Sequence, residues 1–153
     1  MSTSDRLRRA VRRPAAASYG GTLERAVAVA FVGVVAGVVG ALSMYVFRLQ
    51  GFAPTWASST LMAGVAVASG LLVKLLCEEL RASIAALCLA SVVGAAVAVA
   101  VNTAPYFLLD IPTLGGLVML PAIGNALTFA LFGQFPLQAG GYLVGVVYDG
   151  MYA

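Results

Sequence analysis

The sequence predicts an all-α fold, a polytopic integral membrane helix bundle of four to five helical segments. Residues 26–47 contain no Lys, Arg, Asp or Glu over 22 positions, and such a run spans about 33 Å as a helix, enough for the roughly 30 Å hydrocarbon core of a bilayer. Three further uncharged runs follow, and hydrophobic residues form 61% of the 153 positions against 10% charged. Because a soluble domain carries about 25% charged residues, a soluble fold is excluded.

Residues 1–22 are predicted to form a mobile basic arm in the cytoplasm, and residues 23–153 the helix bundle. The arm has one acid, Asp5, against five arginines. These are Arg6, Arg8, Arg9, Arg12 and Arg13. Arginine before a first span holds that terminus in the cytoplasm and attracts anionic lipid. We therefore expect a protein of the cell membrane whose arm contacts the lipid bilayer and binds no nucleic acid.

The first three helical segments have recognisable ends. They are predicted at about 25–48, 57–77 and 82–102. Thr22 and Glu24 suit the start of the first, since a hydroxyl can cap a helix and a carboxylate favours its positive end. Lys74 lies in the last turn of the second, where its stem can reach the headgroups. The third is expected to end at residues 102–105, Asn-Thr-Ala-Pro, because the residue before proline disfavours helix.

The last part of the chain is predicted to contain two helical segments, 114–133 and 135–150. Residues 111–148 carry no charge over 38 positions, which as one helix would be about 57 Å, nearly twice the membrane. We expect an interruption at residues 133–136, because Pro136 cannot donate a backbone hydrogen bond and Gly133 tolerates non-helical dihedrals. Whether the last segment crosses, and on which side the C-terminus lies, stays open.

Small residues recur near every fourth position in the first three segments and predict close helix packing. The candidate helix-packing residues are Gly33, Gly37, Gly40, Gly64, Gly70 and Gly94. Such residues allow helix backbones to approach closely, which matters in lipid because the hydrophobic drive between helices is absent there. Packing within the chain and packing in a homo-oligomer or larger membrane complex both fit the pattern.

Two amide side chains, Asn125 and Gln134, form a candidate polar site in the spans. An unsatisfied amide in hydrocarbon is costly, so both should face other helices, a loop or water. One interpretation is structural hydrogen bonding, with Gln138 as a further nearby donor. The other is a ligand or permeation site built around the expected interruption.

The sequence predicts no enzyme, and no catalytic, cofactor-binding or metal-binding residues are identified. The chain has no His, no P-loop and no Gly-x-Ser-x-Gly elbow, so a nucleophile, a base and a phosphate cradle are missing. Cys77 and Cys88 flank a turn predicted to be cytoplasmic, where thiols stay reduced, and are interpreted as two free thiols. Two cysteines without His also make no metal site.

Residues 37–44 and the Gly- and Tyr-spaced residues 140–148 resemble small uncharacterised multi-spanning membrane proteins of archaea and bacteria. That resemblance implies a helical membrane protein and no particular activity. The predicted function is an accessory or structural membrane component, packing against itself or a larger complex. The alternative is a small transporter or channel-forming subunit for a neutral solute, since the spans lack the carboxylates and imidazoles that a proton path needs.

Overall fold

The computed structural model describes residues 21–48, 58–77, 79–108 and 115–152, which form a helical membrane bundle. Its helices are α1 (Thr22–Arg48), α2 (Ser59–Leu76), α3 (Leu80–Leu108), α4 (Gly115–Phe129) and α5 (Phe135–Tyr152), with a π-helical segment, Ala130–Gln134, joining α4 to α5. Four helices, counting α4 to α5 as one, are long and apolar enough to cross a membrane. The predicted arm through residue 20 and most of the connecting loops lie outside the described residues.

The ends of helices α1 and α2 can be explained from their sequences. Helix α1 begins at Thr22 with Glu24 in its first turn and ends at Arg48, the residue where the sequence predicts its end. Ser58 caps α2 by accepting a hydrogen bond from the Leu61 amide at 3.3 Å. Lys74 lies in the last turn of α2 as expected.

Helix α3 continues past its expected end. The sequence predicts termination at residues 102–105, but Pro105 lies inside the helix, which ends at Leu108. Only three helical residues follow Pro105, so its missing amide affects only the final turn. The Thr103 hydroxyl donates to the Val99 carbonyl, one turn back, at 2.9 Å.

The interruption expected at residues 133–136 is wrong in that form, because the backbone stays helical from α4 through α5. The π-helical segment takes its place: the Phe135 amide donates to the Ala130 carbonyl, five residues back. This wider turn directly precedes Pro136, the second residue of α5. The change in helix type therefore accommodates the proline without ending the helix.

Two ion pairs bring four helix ends together at one end of the bundle, here called the charged end. Arg25 pairs with Glu79, just before α3, and Lys74 pairs with Asp149, near the end of α5, each at 2.8 Å. Helices α1 and α3 therefore run away from the charged end, while α2 and the joined α4–α5 helix return to it. The last helix runs the length of the bundle, and it finishes at the end where α1 starts.

The core is built from small side chains. Helix α1 packs on α3 and α2, α2 packs on α5, and α4 packs on α3. Near the charged end the buried cluster consists of Ala36, Val73, Cys77, Ala86 and Ala90. Farther out, Ala98 of α3 meets Ala126 and Ala130. Alanines at these contacts let the helix backbones lie close, so dispersion contacts hold the bundle together.

Candidate functional site

Two glutamines on the last helix form a buried polar cluster, here called the amide cluster. Gln134 ends the π-helical segment and Gln138 lies four residues on, so both point to one side of the helix. Gln134 is 2% exposed and Gln138 is fully buried. Each is enclosed by the other helices, and no described side chain near them carries a charge.

Gln138 connects three helices through its amide group. Its Nε2 donates to the Ala36 carbonyl of α1 at 2.9 Å and to the Ser69 Oγ of α2 at 3.0 Å. Ser69 in turn donates to the Ala66 carbonyl of its own helix at 2.7 Å. Both amide hydrogens of Gln138 are thus used, which fixes α5 against α1 and α2.

Gln134 is held more weakly and leaves one atom unpaired. Its Nε2 lies 3.4 Å from the Gly37 carbonyl and 3.4 Å from the Gln138 Oε1. Its Oε1 is buried and accepts no hydrogen bond from any described residue. Reversing the amide would place this oxygen opposite two acceptors, so the orientation with Nε2 toward them is the favourable one.

Three glycines make room for the amide cluster. A Cβ added to Gly40 would collide with the Gln138 Nε2, one added to Gly94 with the Gln134 amide, and one added to Gly70 with the Gln138 backbone. Each glycine comes from a different helix, α1, α3 or α2. All helices around the cluster are therefore adapted to its shape.

The amide cluster lies near the middle of the apolar thickness. Gln138 is eleven residues from Asp149 at the charged end, about 16 Å at 1.5 Å per residue, and Gln134 is fifteen residues away, about 22 Å. With the charged end at one membrane interface, these depths fall in the central part of a hydrocarbon core about 30 Å thick. At this depth little water competes for these hydrogen bonds.

The candidate polar site predicted from the sequence is not assembled as a pair. Gln134 is in the amide cluster, whereas Asn125 is exposed on α4. Asn125 is 24 residues from Asp149, about 36 Å along the helix, which places it beyond a hydrocarbon core of about 30 Å. Its amide can therefore be exposed without facing hydrocarbon.

Five of the six predicted helix-packing glycines lie at helix contacts. Gly40, Gly70 and Gly94 surround the amide cluster. Gly33 and Gly37 of α1 pack against α3, where added Cβ atoms would be 2.8 Å from the Ala86 carbonyl oxygen and 2.5 Å from that of Ala90. Gly64 differs: it is exposed and has no neighbouring atom within 4 Å of an added Cβ. It makes no close helix contact with the described residues.

Sequence reasoning named Gln138 only as a nearby donor and gave Ser69 no place in the candidate site. The signal for Gln138 was its spacing of four residues from Gln134, which puts the two amides on one helix face. Ser69 offered no such signal, because a serine that bonds to its own helix needs no other partner. Only the three-dimensional packing of α2 on α5 shows that Ser69 also accepts from Gln138.

The remaining buried polar groups extend on both sides of the amide cluster. Toward the charged end the Tyr142 hydroxyl lies 3.0 Å from the Ser83 Oγ, which itself donates to the Leu80 carbonyl. On the far side Ser43 donates to the Gly40 carbonyl. The described residues contain no group of three His, Cys, Asp or Glu side chains suited to a metal ion.

Fold and site together define the class: a small helical membrane bundle whose centre holds neutral, hydrogen-bonded amides. No protein-family model, curated protein or solved structure matches this chain. Its function must therefore be inferred from its own residues.

Proposed function

We propose that this protein is a non-catalytic accessory or structural component of the cell membrane that works by packing against copies of itself or within a larger membrane complex. The observation that carries this proposal is the way Gln138 uses its donors. Both amide hydrogens of Gln138 bind acceptors of the same chain, on α1 and α2. Glycines line the space around the amide. The centre of the bundle is thereby committed to holding its own helices together.

The outer surface supports the same role. Large apolar side chains face outward on every span, among them Phe31 on α1, Leu72 on α2 and Val92 on α3. Between the charged end and the far ends of the helices, the spans have no Lys, Arg, Asp or Glu. A partner would therefore meet an apolar helix surface, where close packing rather than ion pairing provides affinity.

The charged end is proposed to face the cytoplasm. The arginine-rich arm precedes α1, and Arg25, Lys74 and Arg81 all belong to this end, whereas Arg48 lies at the opposite end of α1. This distribution follows the positive-inside rule. Labelling of a cysteine introduced at Ser4 by a membrane-impermeant maleimide in intact cells would contradict the orientation.

The accessory role is tested by the mass of the protein extracted from its own membrane. We expect native mass spectrometry after mild solubilisation to give a constant assembly of several 15.6 kDa copies or of this chain with a second protein in fixed ratio. A second protein counts only if tagging it recovers this chain in the same ratio. A lone monomer under two different mild solubilisation conditions would refute the proposal.

The second candidate is a small transporter or channel-forming subunit for a neutral solute. The observation favouring it is the spacing of buried polar side chains along the bundle. From the charged end, Tyr142, Gln138 and Gln134 lie at about 10, 16 and 22 Å, and Ser43, eighteen residues along α1 from Arg25, at about 27 Å. Neutral groups that recur about every 6 Å are suited to passing on a neutral hydrogen-bonding molecule.

Swelling of proteoliposomes in water, urea and glycerol gradients tests this second function. Conduction predicts a permeability above that of empty vesicles, which falls in Gln138→Leu and is unchanged in Asn125→Leu, the matched loss of an amide outside the core. Permeability equal to that of empty vesicles for all three solutes would exclude this candidate and leave the accessory role intact.

A further inference from the structure

We propose that the amide cluster is a binding site for one small neutral molecule that donates a hydrogen bond to the Gln134 Oε1. The class is that of compact N–H or O–H donors, of which water is the smallest. This proposal does not depend on which of the two functions above is correct, since a bound donor is compatible with an accessory bundle and with a solute path.

The first argument is the state of the Gln134 oxygen. Buried polar atoms are paired in more than about nine cases in ten, and an unpaired one costs about the desolvation of the group. Gln134 is 2% exposed. Its Oε1 atom is buried and has no hydrogen-bond partner among the described residues. Lipid supplies no replacement donor at this depth, which favours an additional molecule as the source.

The second argument is the contrast with the neighbouring amide. Gln138, one turn away, has its two amide hydrogens at 2.9 and 3.0 Å from acceptors and its Oε1 near a donor. Gln134 has both contacts of its Nε2 at 3.4 Å. Within one cluster, the Gln138 nitrogen makes two short hydrogen bonds, whereas the Gln134 nitrogen makes none and the Gln134 oxygen has no partner among the described residues. The incompleteness is thus local to Gln134.

The third argument sets the chemistry of the ligand. The open atom is a carbonyl oxygen, so the ligand must donate. Between the charged end and the far ends of the helices the spans carry no Lys, Arg, Asp or Glu, so an ion at the amide cluster would stay uncompensated in a medium of low polarity. A Cβ added to Gly40 or Gly94 would collide with one of the two amides, so the surroundings leave little room and favour a small ligand. A small neutral donor satisfies all three conditions.

The test uses water as the probe and the full chain in lipid nanodiscs. Glutamine side-chain amides and the backbone amides of valine and glycine are labelled with nitrogen-15; because the chain has only Gln50, Gln134 and Gln138, the glutamine side-chain signals are readily assigned. We expect a cross-peak between long-lived water and the Gln134 side-chain amide, and none at the backbone amide of Val73, which is fully buried among apolar groups. A visible Gln134 amide without a water cross-peak would overturn the proposal.

Two variants locate the bound water. The cross-peak from water to the Gly94 protons should be lost in Gln134→Leu, which removes the acceptor, and kept in Asn125→Leu, which removes an amide outside the core. Persistence of the Gly94 cross-peak in folded Gln134→Leu would show that the oxygen does not hold the water, and would also refute the proposal. The wild-type measurement decides the question even where Gln134→Leu fails to fold, and it is independent of the oligomer and flux assays.

Discussion

Replacing Gly70 by alanine should weaken the bundle strongly, while the same replacement of Gly64 should not. Both glycines belong to α2, and both changes add one methyl group and gain the same helix propensity, about 0.5 to 1 kcal/mol relative to glycine in a helix interior. They differ in surroundings: an added Cβ on Gly70 meets the backbone of Gln138, and one on Gly64 meets nothing within 4 Å. The difference between the variants therefore isolates the helix contact.

The magnitude follows from the distances. The added Cβ on Gly70 would be 2.6 Å from the Gln138 carbonyl carbon and closer still to its carbonyl oxygen, where 3.4 Å is an ordinary contact, so α2 and α5 must separate by more than about 0.8 Å. Overpacking of this kind costs about 1 to 3 kcal/mol. Separation also stretches the 3.0 Å bond from Gln138 to Ser69, and such bonds between membrane helices contribute about 0.6 kcal/mol on average. The sum is about 2 to 4 kcal/mol.

Thermal unfolding in detergent measures this difference with the chain's own thiol. Cys77 is buried and free, whereas Cys88 is exposed, so a Cys88→Ala background leaves one thiol that reacts with a fluorogenic maleimide only on unfolding. Burial also raises the pKa of the Cys77 thiol, despite the opposing charge of Lys74, which slows the reaction of the folded protein.

At about 3 °C per kcal/mol for a chain of this size, Gly70→Ala should melt about 6 to 12 °C below Gly64→Ala. Gly64→Ala should stay at or slightly above the wild type. Equal melting temperatures for the two variants would show that α2 and α5 do not meet at Gly70, and the reasoning about the amide cluster would fail with it.

Two further predictions concern the last helix. Deleting Leu131 should convert the π-helical turn to an α-helical one and preserve a folded bundle. Deleting Leu143, which is also exposed but lies in regular helix, should rotate the residues beyond it by about 100° and unfold the protein. Equal circular dichroism melts of the two deletions would contradict this prediction. In a background without native cysteines, a short bis-maleimide should join Lys74→Cys to Asp149→Cys. It should not join Ser58→Cys to Asp149→Cys, because these positions are at opposite ends of the bundle. The reverse result would mean that the last helix ends on the other side.

The sequence was sufficient for the class of fold and for most helix ends, because charges and apolar runs have a direct relation to membrane thickness. Thr22, Arg48 and Lys74 mark helix ends in the structure as they do in the sequence. The end of α3 was placed too early, since a single proline decides a helix end in water more firmly than in a membrane bundle.

The orientation of each small residue could not be predicted. Lipid is as apolar as a neighbouring helix, so hydropathy does not distinguish a glycine at a helix contact from one facing lipid. Gly70 and Gly64 thus have the same signal and opposite environments. Asn125 and Gln134 were grouped into one site for a related reason. Their depths in the membrane depend on where the last helix ends, and the pairing of Asp149 with Lys74 in the structure places that end.

The π-helical segment keeps the buried side chains of the last helix on one face. Ala126, Ala130, Gln134 and Gln138 are all buried at intervals of four. In a regular α-helix, each interval of four drifts by about 40°, so the twelve residues from Ala126 to Gln138 would drift by about 120°. One extra residue in a π turn absorbs about 100° of this, leaving about 20°. The four side chains therefore form one stripe, and the wide turn that contains Gln134 is what brings its amide into the core.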